Sequence, residues 1–213
     1  MLAVLSLAAL LSEARPAIAA GVRTTCPSTP FEVFTPTARV CDALEVTGRI
    51  DDASVTLDPA FDTRATETEL ARPAPGSASL TGYNREGQAV FTFPFTANGA
   101  FRLVIPLAPQ LSNSIVRLTL TANAATFERT ANAGDAPSAE ALASDDGHVI
   151  FIWNAQQYPG IRISNARDGS PILSTQGTES FDQIGVNTGA AKFIVSFSDG
   201  VHSVTRTVKV LGR

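Results

Sequence analysis

The sequence predicts an all-β chain, two antiparallel β-sandwich modules behind a signal peptide. Two observations carry this. Apolar and polar residues alternate along many short runs after residue 43, and strand side chains point to opposite faces with period two. Turn residues separate the runs at the close spacing of sandwiches and barrels. The 44% hydrophobic content supplies material for a core.

Residues 1–20 come first. Leu2 to Leu11 is apolar, Ser12 to Pro16 breaks the run, and Ala17-Ile18-Ala19-Ala20 precedes Gly21. That order reads as a secretory signal with a cleavage site, although no Lys or Arg precedes the apolar run. The run is shorter than the roughly twenty residues a spanning helix needs, so no membrane span is expected. Arg23-Thr24-Thr25 ahead of Cys26 is not a lipobox. The product is expected to be secreted or periplasmic.

Residues 21–130 read as the first sandwich. Leu44, Val46, Gly48 and Ile50 alternate with polar residues, as do Phe91, Phe93 and Phe95. Phe101, Leu103, Ile105 and Leu107 form another face, and Val116, Leu118 and Leu120 another. Val55 to Leu57, Leu80 to Tyr83 and Phe127 to Arg129 are shorter candidates. Arg85-Glu86-Gly87 sits at hairpin spacing, and Asn98-Gly99 carries the positive-φ signature of a tight hairpin between the Phe91 and Phe101 runs. Pro94 and Pro106 place their strands at edges or bulges, since proline donates nothing to a ladder.

Residues 131–146 have linker composition, with an Ala-rich middle that could form one helical turn capped by Ser138. Residues 147–213 return to strand grammar. Val149, Phe151 and Trp153 share a face, as do Phe193, Val195 and Phe197. Ile161 to Ser164, Ile172 to Ser174 and Phe181 to Ile184 are short candidates. Ser198-Asp199-Gly200 turns the chain into Val201 to Val210, with Val204, Val208 and Val210 expected to face inward.

Cys26 and Cys41 are the two cysteines. In an oxidising compartment an even count reads as a disulfide. Their loop of about fifteen residues would contribute roughly 3 kcal/mol on the chain-entropy model. The net charge of −4 forms no basic stripe, which argues against nucleic acid as a partner.

Trp153-Asn154-Ala155-Gln156-Gln157-Tyr158-Pro159, Arg167-Asp168-Gly169 and Ser196-Phe197-Ser198-Asp199-Gly200-Val201 resemble the immunoglobulin-like tail modules of secreted bacterial proteins, some of them peptidase-associated. The resemblance covers 147–213. It implies an immunoglobulin-like β-sandwich and an extracytoplasmic setting, and no active residue.

Catalytic chemistry has little to build on. His148 and His202 are the two histidines. His148 follows Asp145-Asp146-Gly147, where a metal ligand competes with a solvated strand end. Ser198, Asp199 and His202 share one hairpin, where a turn Ser and Asp satisfy the backbone. No Gly-x-Ser-x-Gly elbow, paired-histidine zinc motif or phosphate loop occurs. Asp51, Asp52, Asp58 and Asp62 form the densest acidic cluster, which suits a turn better than calcium. No cofactor and no metal are expected. Trp153, Tyr158, Arg167 and Asp168, on loops 154–160 and 166–171, are the candidate contact surface. For Trp153 and Tyr158 the competing reading is packing inside the sandwich. The expected function is therefore non-enzymatic, with a protein partner and a binding or structural role at the envelope or outside the cell. The alternative is an accessory subunit of a secreted hydrolase.

Overall fold

The computed structural model describes residues 40–66, 68–107, 109–132, 134, 136–144, 148–179, 182–187 and 190–211. The expected signal segment and Cys26 lie outside the described residues, as do Asp145-Asp146-Gly147 before His148. The first sandwich has two sheets. One contains β1 (Val40–Ile50), β2 (Val55–Leu57), β3 (Phe61–Thr66) and β6 (Gly99–Pro106). In it β2 and β3 share one side of β1, and β6 takes the other. The second sheet has the order β5 (Ala89–Phe95), β4 (Ala78–Tyr83), β7 (Arg117–Ala122) and β8 (Ala125–Thr130). Leu44, Val46 and Ile105 from one sheet meet Leu80, Phe93 and Leu118 from the other in one core. A short helix, α1 (Pro109–Ser112), links β6 towards β7.

The second unit is a seven-stranded sheet folded on itself: β12 (Pro171–Gln176), β11 (Gly160–Asn165), β14 (Lys192–Ser198), β15 (Ser203–Leu211), β9 (Ala139–Ala143), β10 (His148–Trp153) and β13 (Asp182–Asn187). Its halves close over Phe151, Trp153, Ile161, Phe193 and Phe197. Antiparallel pairing prevails, and β15 joins β9 in parallel at Val210 and Leu211. Three strands facing four around a buried Trp follow the immunoglobulin-like plan.

The alternating runs become strands where expected, and Pro94 and Pro106 lie on edge strands β5 and β6. Four local expectations are corrected. Asn98-Gly99 does not close a hairpin: β5 pairs β4, and β6 pairs β1. The turn carries the chain from one sheet to the facing one, so the Phe93 and Ile105 faces meet across the core, and Phe95 and Phe101 rings lie 5.2 Å apart. The Ala-rich part of 131–146 is strand β9, not a helical turn; ladders on both sides override the helix propensity of Ala-Glu-Ala-Leu-Ala. Phe61–Thr66, where alternation marks no strand and Asp62 counts only in the acidic cluster, is β3. Val204 is 43% exposed instead of inward, at the end of β15 that β9 does not flank, while Val210, beside β9, is buried.

One tight turn carries strain. Ala122 pairs Ala125 across Asn123 and Ala124, whose φ angles are 50° and 64°. A type I′ turn needs both positive, and Ala has no relief from the Cβ clash there. Ala124→Gly should raise unfolding stability by about 1 kcal/mol, read as a higher urea midpoint at unchanged slope.

Candidate functional site

The chemically able side chains gather where the two sandwiches meet. The tip of the β14–β15 hairpin inserts into the first sandwich: Val201 is fully buried and belongs to the same core as Leu44 and Leu118. Gly200 allows this approach. Its φ is +112°, and a Cβ there would sit 3.0 Å from the Thr130 carbonyl oxygen. The main chain is tied down beside it. Ala60 N–H donates to the Gly200 carbonyl at 3.1 Å and Asn132 N–H to the Asp199 carbonyl at 2.9 Å. Ser198 Oγ donates to the Ala60 carbonyl. Asp199 Oδ1 accepts the N–H groups of Val201 and His202 at 2.8 and 2.7 Å. Ser198 and Asp199 thus satisfy the turn, as expected from their placement.

Two polar clusters flank the tip. Asp62 on β3 accepts from Ser112 Oγ (2.9 Å) and Ser203 N–H (2.7 Å), and its own N–H donates to Ser203 Oγ (2.9 Å). His202 Nε2 donates to the Ile115 carbonyl at 2.7 Å. That bond fixes the neutral ring with its Nδ1 lone pair towards the Asp62 carboxylate, 3.8 Å away. At this distance the contact is Coulombic, not a hydrogen bond. Burial, the largest single influence, pushes His202 down, but Asp62, the Ile115 carbonyl and Asp199 together raise it above 6.5. Burial likewise pushes Asp62 up, while His202, Ser203 and Ser112 together bring it below 3.8.

The other cluster centres on Glu45 of β1. Its carboxylate receives Arg102 Nε at 3.1 Å from β6 and Arg162 Nη2 at 2.9 Å from β11. Arg162 also stacks on Phe61, its guanidinium carbon 3.9 Å from the ring centroid. Burial opposes ionisation of Glu45, yet the two arginines hold it below its usual 4.5. Asp58 accepts Thr47 Oγ1 at 2.8 Å and Gln176 Nε2 at 2.7 Å, another link across the junction. Gly160 packs against Pro59, where a Cβ would come within 2.6 Å.

The nucleophilic and titratable groups at the junction each have a structural partner. An activated serine must donate to an imidazole lone pair. Here Ser112 donates to Asp62, and His202 Nε2 is engaged by a backbone carbonyl. Asp51 pairs with Arg49, and Asp58 and Asp62 have separate partners, so the acidic cluster is not brought to one point. No group of metal-ligating side chains forms among the described residues.

The expected contact residues separate. Trp153 is 2% exposed and its Nε1 donates to the Tyr158 carbonyl at 3.0 Å. Tyr158 is buried against Phe197, ring centroids 6.2 Å apart. Both pack inside the sandwich, which removes their side chains from the surface. Loop 154–160 faces the junction, where Asn132 Nδ2 donates to the Gln156 carbonyl at 2.9 Å. Arg167 and Asp168 are exposed on the β11–β12 turn, where Asp168 accepts Ser170 N–H and Oγ at 2.9 and 2.7 Å. Cys41 is buried on β1. Glu45, Arg162 and Val201 were not legible as site residues: each occupies an ordinary strand or turn position, and its role comes from the other sandwich.

Among solved structures the chain is similar to a two-domain fibronectin type III segment of chicken tenascin, with 14% identity, 80% of this chain and 96% of that chain covered, and a TM-score of 0.26. It is also similar to the central fibronectin III array of RIM-binding protein, with 14% identity, 78% and 87% covered, and a TM-score of 0.25. No protein-family description and no curated protein matches the chain.

Removing two methyls from the inserted tip should be felt by both sandwiches. Val201→Ala should cost about 2 kcal/mol of stability, read as a lower urea midpoint of the first sandwich, because the cavity lies in that core. Unfolding midpoints should also depend on pH at both ends. Glu45 and Asp62 contribute above about pH 4.5 and are lost as pH falls through their depressed folded values. The His202 contribution is complete below 6.5 and is lost as pH rises through its raised folded value. Urea titrations should give a plateau between these limits, and His202→Asn should flatten the alkaline limb.

Proposed function

We propose that this chain is an exported, non-catalytic protein whose two β-sandwich modules act as a rigid scaffold for a protein partner, at the cell envelope or outside the cell. The observation that carries this reading is the junction. Val201 fills the first core, and His202, Asp62, Ser112 and Ser198 are engaged in hydrogen bonds that join or brace the modules. Groups that could carry out chemistry are used to fix geometry. Sandwiches commonly bind through loops at their ends. The β11–β12 turn fits that role: β11 runs six residues from Gly160 at the junction to Asn165, so Arg167 and Asp168 sit roughly 20 Å from the junction.

Export is supported by the composition of residues 1–20, and the Cys26–Cys41 bridge is part of the same proposal. Fractionation of the native source should find the product outside the cytosol, beginning near Gly21, with both sulfurs blocked to alkylation. A cytosolic, uncut product with two reactive thiols would overturn the export reading. Affinity capture from the secretome should recover a partner that Arg167→Ala with Asp168→Ala loses. If that partner is a peptidase or glycosidase, the role is that of an accessory subunit. Hydrolysis by the purified chain itself would refute the scaffold.

A further inference from the structure

The β15 edge is open beside a groove, and its chemistry selects an occupant. Asp199 N–H donates to the His202 carbonyl at one end of the β14–β15 ladder, and Val210 N–H to the Ala191 carbonyl at the other. Antiparallel alternation between these points turns the N–H and C=O of Val204, Arg206 and Val208 towards β14. Those of Thr205 and Thr207 point away. Strand β9 joins β15 only at Val210 and Leu211, so among the described residues no strand pairs with Thr205 or Thr207 on that side. The divergence leaves a groove of about 550 Å³, lined by Ser138, Glu140, Phe197, Arg206, Val208 and Lys209.

Charge decides what fits. Lys192 and Lys209 are direct cross-strand partners on one face, an arrangement that destabilises a sheet on its own. Arg206 projects from the opposite face. None of the three takes part in an ion pair among the described residues, and Glu140 reaches neither Arg206 nor Lys209. Val204, on the Arg206 face, is 43% exposed. A second copy of the chain would bring the same cations together, so these bases guard the edge against self-pairing.

We propose that the β15 edge between Ser203 and Lys209, at Thr205 and Thr207, is a docking site for an extended acidic segment of a partner protein, added as a further strand. Its backbone pairs with Thr205 and Thr207. Its carboxylates face Lys192 and Lys209 on one side, and its apolar side chains face Val204 and Val208 on the other. The site is separate from the Arg167–Asp168 turn, so either can fail without the other.

The test is fluorescence anisotropy of the full chain with two labelled, Ser-flanked peptides, one alternating Val with Glu and one alternating Val with Lys. The Glu peptide should bind roughly tenfold or more tightly than the Lys peptide, with the difference shrinking in high salt. Thr207→Pro removes an N–H that points away from β14, so it should abolish binding while leaving the melting temperature unchanged. Lys192→Glu with Lys209→Glu, which alters no backbone group, should reverse the preference and serves if the proline variant fails to fold. Equal binding of the two peptides, or unchanged preference in the double variant, would overturn the site. So would a dimer in sedimentation that Thr207→Pro dissolves, which gives the edge to a second copy.

Discussion

Insertion of the last hairpin's tip into the first core is the constraint on which the rest of the molecule depends. Val201 is surrounded by the first sandwich although its strands belong to the second. A side chain of this size contributes roughly 1.5–3 kcal/mol on full burial. Gly200 sets the geometry, since its positive φ strains any other residue and a Cβ would crowd the Thr130 carbonyl. The hydrogen bonds from Ala60 and Asn132 to the tip carbonyls then fix depth and rotation.

The polar groups around the tip give direction more than net stability. Glu45 is nearly buried, and its two arginines come from different sandwiches. Removing a charge from water costs several kcal/mol, and the attraction of a partly exposed guanidinium returns only part of it. What the arrangement secures is specificity: one relative placement satisfies Glu45, Arg162 and the Phe61 ring together. The Asp62–His202 pair acts similarly, with a charge that depends on pH. In the proposed scaffold, a junction so built holds the β11–β12 turn and the β15 edge at fixed positions relative to the first sandwich.

Much of the fold was legible because alternation reports burial directly. Leu44 to Ile50, Phe91 to Phe95 and Phe193 to Phe197 each became a strand with the expected face inward. The errors share a cause. Asn98-Gly99 states which φ angles are accessible but not which sheet the next strand joins. Ala139–Ala143 has little apolar surface, so its pattern was weak, and ladder partners far along the chain made it a strand. Phe61–Thr66 is mostly polar and pairs with β1 for the same reason. Trp153 shares the face of Val149 and Phe151, which pointed it inward, whereas Tyr158 lies past the strand, where alternation gives no side.

The sequence by itself determined the periodicities, and with them an all-β chain of short antiparallel strands with turns at Gly87, Gly169 and Gly200. Those are local properties, set by side-chain alternation and by the φ angles glycine permits. Only the tertiary structure decided that Val201 enters a foreign core, that Glu45 faces arginines from both sandwiches, and that β15 is left with an open basic edge. Each depends on groups distant in sequence coming within a few ångströms, and no local pattern encodes such a distance.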